Sequence, residues 1–154
     1  VSEPEADDRE RLVRNLNELL QELRVAQAGV QILFAFLLGA AFTEPFRDAS
    51  PFQRALHLVT VMLATGATAL LTAPAAWHRL LFRHGRREQI VRAANRFALA
   101  GLALLAAAMT GAVALVADVV LSGWWAVALG GVSGTLYAFL WFVWPSRLRH
   151  DDQR

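Results

Sequence analysis

Phe97–Leu121 reads FALAGLALLAAAMTGAVALVADVVL, 25 residues with one ionisable side chain, Asp118. Coiled as a helix at about 1.5 Å per residue, such a stretch exceeds the roughly 30 Å of a bilayer's hydrocarbon core. It has no polar face to turn toward water, so it reads as a membrane span and not as a surface helix. Three further blocks are of the same kind, and the predicted spans cover residues 25–43, 55–76, 97–121 and 124–144. Whole-chain composition agrees: 56% of the 154 residues are hydrophobic, 18% are charged, and the mean hydropathy is +0.38. The expected fold is all-α, an integral membrane four-helix bundle with a long N-terminal helix extending into the cytosol. It divides into an acidic tail (1–11), a single four-span domain (12–144) and a cytoplasmic tail (145–154). The acidic start, Val1–Glu10, predicts no cleavable signal peptide.

The cationic side chains set the orientation. All 15 are arginine, and the absence of lysine beside so much Ala, Leu and Gly suggests a high-GC bacterial coding bias. Thirteen arginines precede the first span, lie between the second and third, or close the chain; only Arg47 and Arg54 fall on the other side. The positive-inside rule then places both termini in the cytoplasm of a bacterial cytoplasmic membrane. Trp124 and Trp125 are expected at the outer interface, and Trp77, Trp141 and Trp144 at the inner one. Arginines placed between spans serve anchoring, so the pI near 10.3 implies no nucleic-acid partner. The direct partner is the lipid bilayer.

Short links fix the connectivity. Spans three and four are joined around Ser122 and Gly123, which demands an antiparallel hairpin, and the loop from Thr43 to Gln53 contains Pro45 and Pro51, read as turns. Pro74 predicts a kink toward the inner end of span two.

Helix one carries the most information. Leu12, Leu16, Leu19, Leu23, Ala26, Val30, Leu33 and Leu37 alternate four- and three-residue steps, a heptad seam passing from cytosol into bilayer. Gln27 and Gln31 carry polarity into the span, where buried amides need partners. Two readings stand at this point. The seam packs on the chain's own helices, or it gathers first helices at the centre of a homo-oligomer. Small residues recur every fourth position in span four (Ala126, Gly130, Gly134, Ala138) and in span three (Ala103, Ala107, Gly111). These two faces are expected to meet within the hairpin. Thr60, Thr68 and Thr72, with Thr65 beside them, are expected to bond carbonyls of their own helix.

Candidate ion-binding or transport residues are Glu18, Glu22, Arg24, Gln27, Gln31, His78 and Asp118. Asp118, the one acid in a predicted span, is a functional candidate if it lies within the membrane; if helix three ends soon after it, it is interfacial and hydrated, with Arg47, Arg54 or His57 as neighbours. Glu18 and Glu22 can form carboxylate rings at an inner vestibule or pair with Arg14 and Arg24. His78 sits at the inner interface, where a histidine titrates near neutral pH. Zero cysteines exclude disulfides and thiolate chemistry. The four histidines offer no axial haem pair, and no phosphate loop, HExxH helix or GxSxG elbow occurs, so neither an enzyme, a metal centre nor a cofactor is expected.

The run from Glu18 to Leu38, ELLQELRVAQAGVQILFAFLL, with Ala73-Pro-Ala-Ala-Trp-His-Arg79 and Phe82-Arg83, resembles a family of small uncharacterised actinobacterial four-span membrane proteins. Members of that family are often labelled sodium:proton antiporter. The resemblance implies four spans and, through the label, cation exchange. Two functions are therefore weighed: a homo-oligomeric protein for conduction or exchange of a monovalent cation (H+, Na+ or K+), with helix one lining or flanking the axis, and a non-transporting accessory or assembly subunit that docks a partner through its cytosolic N-terminal helix. Four spans without an internal repeat do not enclose a pathway alone, so transport requires oligomers.

Overall fold

The structure, a computed structural model, describes the backbone of residues 3–81, 87–121 and 123–151 and the side chains of residues 14, 18, 21–77, 93–121 and 123–147. The chain is all-helical: α1 (Glu3–Ala40), α2 (Glu44–Arg47), α3 (Pro51–Leu81), α4 (Arg87–Leu121), α5 (Trp125–Ala138), a π-helical turn (Phe139–Val143) and α6 (Trp144–Asp151). Four stretches are long and apolar enough to cross a membrane, namely Gln21–Ala40, Pro51–Trp77, Ala93–Leu121 and Trp125–Arg147. The protein is a multi-pass membrane protein.

Helix α1 has 38 residues, of which the span takes 20; the remaining 18 run on as helix for about 27 Å at 1.5 Å per residue. The span stops at Ala40, where Thr43 Oγ1 donates to the Ala40 carbonyl and Phe42 N–H to the Gly39 carbonyl. Pro45 and Pro51, expected in turns, instead start helices. Each occupies the first turn, where a missing N–H removes nothing and the fixed φ suits the helix. Pro74 lies within α3, which continues through it to Leu81.

The core lies between α1, α3 and α4. Val30 and Leu37 of α1, Ala64, Ala67 and Leu71 of α3, and Leu105, Ala108 and Ala112 of α4 are buried against one another. Alanine and glycine at the crossings let α3 and α4 approach closely. A Cβ added at Gly101 would stand 2.8 Å from Leu71 Cγ, and one at Gly66 would stand 2.9 Å from Leu104 Cδ1. Gly123, at φ +72°, supplies the left-handed residue that turns α4 into α5. Helix α5 then packs along α4 and has no substantial contact with α1 or α3.

On the α4 side the hairpin joins through residues other than those expected. Ala126, Gly130 and Gly134 of α5 do face α4, but they meet Ala114 and Thr110, at 3.0 and 3.3 Å from Cβ atoms placed on Gly130 and Gly134, respectively. Gly111 turns instead to Thr60 of α3, while Ala103, Ala107 and Ala138 are exposed. The helix phase explains this. Thr110 and Ala114 are four apart and share one line on α4, and Gly111 lies about 100° away from Thr110.

Aromatic rings collect at the two ends. Trp124 and Trp125 stack at 4.0 Å beside Gly123, whereas Trp77 meets Phe97 edge-on at 4.9 Å and Trp141 meets Tyr137 at 5.1 Å toward the end carrying the termini.

Candidate functional site

Ser50-Pro51-Phe52-Gln53 begins α3 with a capping box. Gln53 N–H donates to Ser50 Oγ at 3.2 Å, and Ser50 N–H donates to Gln53 Oε1 at 2.9 Å, so two orphan donors of the helix start are satisfied reciprocally. Because Oε1 is used by the cap, the Gln53 amide nitrogen points away from it. Nε2 donates to Asp118 Oδ2 at 2.9 Å. One glutamine thereby closes the helix start and holds the only acid of the α4 span. Asp118 is half-buried, three residues before the end of α4, where the helix dipole disfavours an anion. Gln53, in the first turn of α3, offsets this through its amide bond to the carboxylate.

The neighbours expected for Asp118 are placed differently. Arg54 is turned outward, its Nη2 donating to the Arg47 carbonyl at 2.8 Å, and neither guanidinium bonds the carboxylate. His57, one turn along α3 from Gln53, is 6% exposed and its Nδ1 is buried with no hydrogen-bond partner. Its ring lies against Phe46 at 4.6 Å between centroids, so α2 is fastened onto α3 by an aromatic contact. Thr60, a further turn along, is fully buried and bonds the Leu56 carbonyl at 2.7 Å. Beside these groups a cavity of about 160 Å³ lies beneath α2, lined by Phe36, Phe46, Gln53, Leu115 and Val119 among others. Gln53 and Asp118 thus form a polar pair at the end of the bundle away from the termini, with His57 one turn of α3 from Gln53. Its key is the Ser50-x-x-Gln53 cap, a sequence signature of a helix start that the turn reading of Pro45 and Pro51 passes over.

The helix-one candidates separate into faces. Gln27 Nε2 donates to the Leu71 carbonyl at 2.8 Å, three residues before Pro74. Pro74 has no N–H to give the Leu70 carbonyl, so the Gln27 amide adds a donor across the helix pair beside the weakened ladder. Gln31 is exposed, as are Glu18, Glu22 and Arg24. Glu22 and Gln31 are nine residues apart, which is about half a turn at 100° per residue, so the acids and amides do not share a line along the helix. The side chain of His78 lies outside the described residues.

The heptad seam is occupied within the chain wherever its side chains are described. Leu23, Val30 and Leu37 are buried in the core, with Ala26 and Leu33 packed against it. Leu12, Leu16 and Leu19 lie outside the described side chains. Thr60, Thr65, Thr68 and Thr72 each donate to the carbonyl four residues earlier. Among the described residues no group of three or more His, Asp or Glu side chains could hold a metal ion.

No curated protein and no solved structure matches the chain. A family model does, over residues 5–145, nearly the whole of it. The chain therefore belongs to DUF6328, a family of unknown function, and the match takes in all four of its candidate spans apart from the last residues of the fourth.

Proposed function

We propose that this protein is a small homo-oligomeric membrane protein that conducts or exchanges a monovalent cation, protons included, and that its ion-handling site is the cluster of Asp118, Gln53 and His57. The observation that carries this reading is the hydrogen bond by which Gln53 holds the one carboxylate of the α4 span; one turn of α3 beyond Gln53 stands the buried His57, whose Nδ1 has no partner. Acids inside spans are costly and mark ion or proton pathways, and the unpaired Nδ1 of a buried imidazole leaves one hydrogen-bonding position open to a water or ligand. Asp118 keeps Oδ1 free of the Gln53 bond, so it can take a second ligand while the amide holds it in place.

The resemblance to proteins labelled sodium:proton antiporter supports the same class of chemistry. The arginine distribution supports both termini in the cytoplasm of a bacterial cytoplasmic membrane, with the Asp118 cluster near the outer face. The test is purified protein in liposomes under a sodium, potassium or proton gradient. The parent is expected to carry flux and Asp118→Asn to lose it while remaining folded. Absence of flux in the parent, or equal flux in Asp118→Asn, overturns the reading.

A second reading has its own support. Eighteen helical residues of α1 precede the span, a stem that a transporter of four spans does not need. An accessory or assembly subunit that docks a partner through this stem accounts for it. Failure of flux with retention of a stem-dependent partner selects this alternative.

A further inference from the structure

Gln31 stands at the middle of a membrane span that runs from Gln21 to Ala40. Its neighbour Gln27 is satisfied inside the chain, but Gln31 is exposed and makes no side-chain hydrogen bond among the described residues. The surroundings are apolar. Val25 and Ile32 on the same exposed half of α1 are 75% and 74% exposed, as lipid-facing residues are. No water is available at that depth, so an amide left there requires a partner from another helix.

Residues one turn to either side make room for one. Ala28 and Ala35 flank Gln31 at i−3 and i+4, Gly39 continues the line, and all are exposed. A Cβ added at Gly39 would meet nothing within 4 Å. Another backbone can therefore approach α1 closely enough for two amide side chains to meet.

We infer that this face of α1 docks the α1 of a second copy, the two helices parallel, with their Gln31 side chains exchanging hydrogen bonds at the centre of the span. Copies inserted by the same arginine distribution share one orientation, so a residue on a pairing face meets its own counterpart at equal depth. An amide is both donor and acceptor and therefore complements itself, and a two-fold axis closes the pair. Arg24, about two turns toward the span's edge on the same side, has the reach to turn its guanidinium to the headgroups. This face is distinct from the heptad seam, which the chain's own core occupies from Leu23 onward. The inference deepens the homo-oligomeric part of the proposed function and is independent of the cation.

The chain has no cysteine, so a single engineered one reports alone. In membranes holding this 154-residue chain, mild oxidation of Ala28→Cys and Ala35→Cys should give cross-linked dimers at twice 16.9 kDa. Val127→Cys, on the 78% exposed flank of α5, should remain monomeric and serves as the collision control. In the Ala35→Cys background, Gln31→Leu should weaken association roughly tenfold, and Gln31→Asn should retain most of it. Cross-linking at Ala28 and Ala35 no greater than at Val127, indifference to Gln31→Leu, or cross-links to a species of another mass would each overturn the inference. Flux lost in Asp118→Asn with dimers intact, or dimers intact with no flux in the parent, keeps this result separate from the ion-handling one.

Discussion

Gly111→Ala places a methyl group at the tightest crossing of α3 and α4. The new Cβ would fall inside the contact distance of Thr60 Oγ1, while Thr60 Cβ and Cγ2 would stand at 3.4 Å, an ordinary contact. Thr60 is fully buried, and rotating its hydroxyl away gives up the bond to the Leu56 carbonyl. Overpacking of this kind costs about 1–3 kcal/mol, and exchanging Gly for Ala within a helix returns about 1 kcal/mol. The single change therefore sits at roughly 0–2 kcal/mol destabilising, a range too close to zero to decide anything by itself. The decisive quantity is the coupling. Thr60→Ala removes the offending oxygen, and the Leu56 carbonyl still has the helical N–H four residues on. In the double variant the methyl groups introduced at the two positions would touch with no overlap. The double variant should thus be more stable than the sum of the singles by about 1–2 kcal/mol, within the usual range for side chains in contact. Reversible unfolding in mixed detergent micelles, followed by tryptophan fluorescence, measures all four corners of the cycle. Additivity within about 0.5 kcal/mol would refute the placement of Gly111 against Thr60.

Gln27→Leu should destabilise the monomer by roughly 1 kcal/mol in the same assay, the range for an interhelical hydrogen bond in a membrane, because the Leu71 carbonyl loses its cross-helix donor. Gln31→Leu should leave monomer stability unchanged, and an equal effect of the two substitutions would contradict the assignment of only one of them to the chain's interior. Cysteines placed singly at Ser50 and Ser122 should react with impermeant thiol reagents from outside intact cells, while one at Gln153 should not; the opposite pattern reverses the orientation.

Hydropathy makes the spans legible because a helix surrounded by lipid must be apolar on every side, and 25 residues with one acid have no other stable placement. The assignment of faces is less legible for the same reason. When every side of a helix is apolar, the pattern hardly tells neighbour from lipid, and the small residues of α4 point to α5 in the sequence although Gly111 meets α3 in the fold. The heptad seam of α1 is a packing line, as its spacing indicates, but nothing in that spacing tells the chain's own core from a neighbouring copy. Burial of Leu23, Val30 and Leu37 assigns that part to the chain itself. At the polar cluster, Asp118 stands out by its rarity, whereas its partner does not. Charge attraction points to Arg47 and Arg54, yet both lie in or beside a capped turn that directs Arg54 to a backbone carbonyl, and an uncharged glutamine reaches the acid.

The separation of polar groups in depth bears on how such a chain could move an ion. Gln31 lies at the centre of its span, and the Asp118 cluster lies at the end away from the termini. Between α1, α4 and α5 runs an open groove of about 500 Å³, lined by Leu33, Phe36, Met109, Val113 and Val116 among others, all apolar except for the Tyr137 hydroxyl at its edge. A groove with that lining stabilises acyl chains better than it hydrates a cation. The threonine hydroxyls of α3 each commit their proton to their own helix's carbonyls. On the proposed reading, an ion bound at Asp118 meets no polar route among the described side chains of one chain, and a second copy supplies the rest of it. Pairing through Gln31 brings the α3 flank of each α1 toward the partner, because Gln27, one turn from Gln31, already reaches α3. If both proposals hold, the mid-span amides and Asp118 belong to one assembly, and Gln31→Leu in liposomes should lower the flux that Asp118→Asn abolishes.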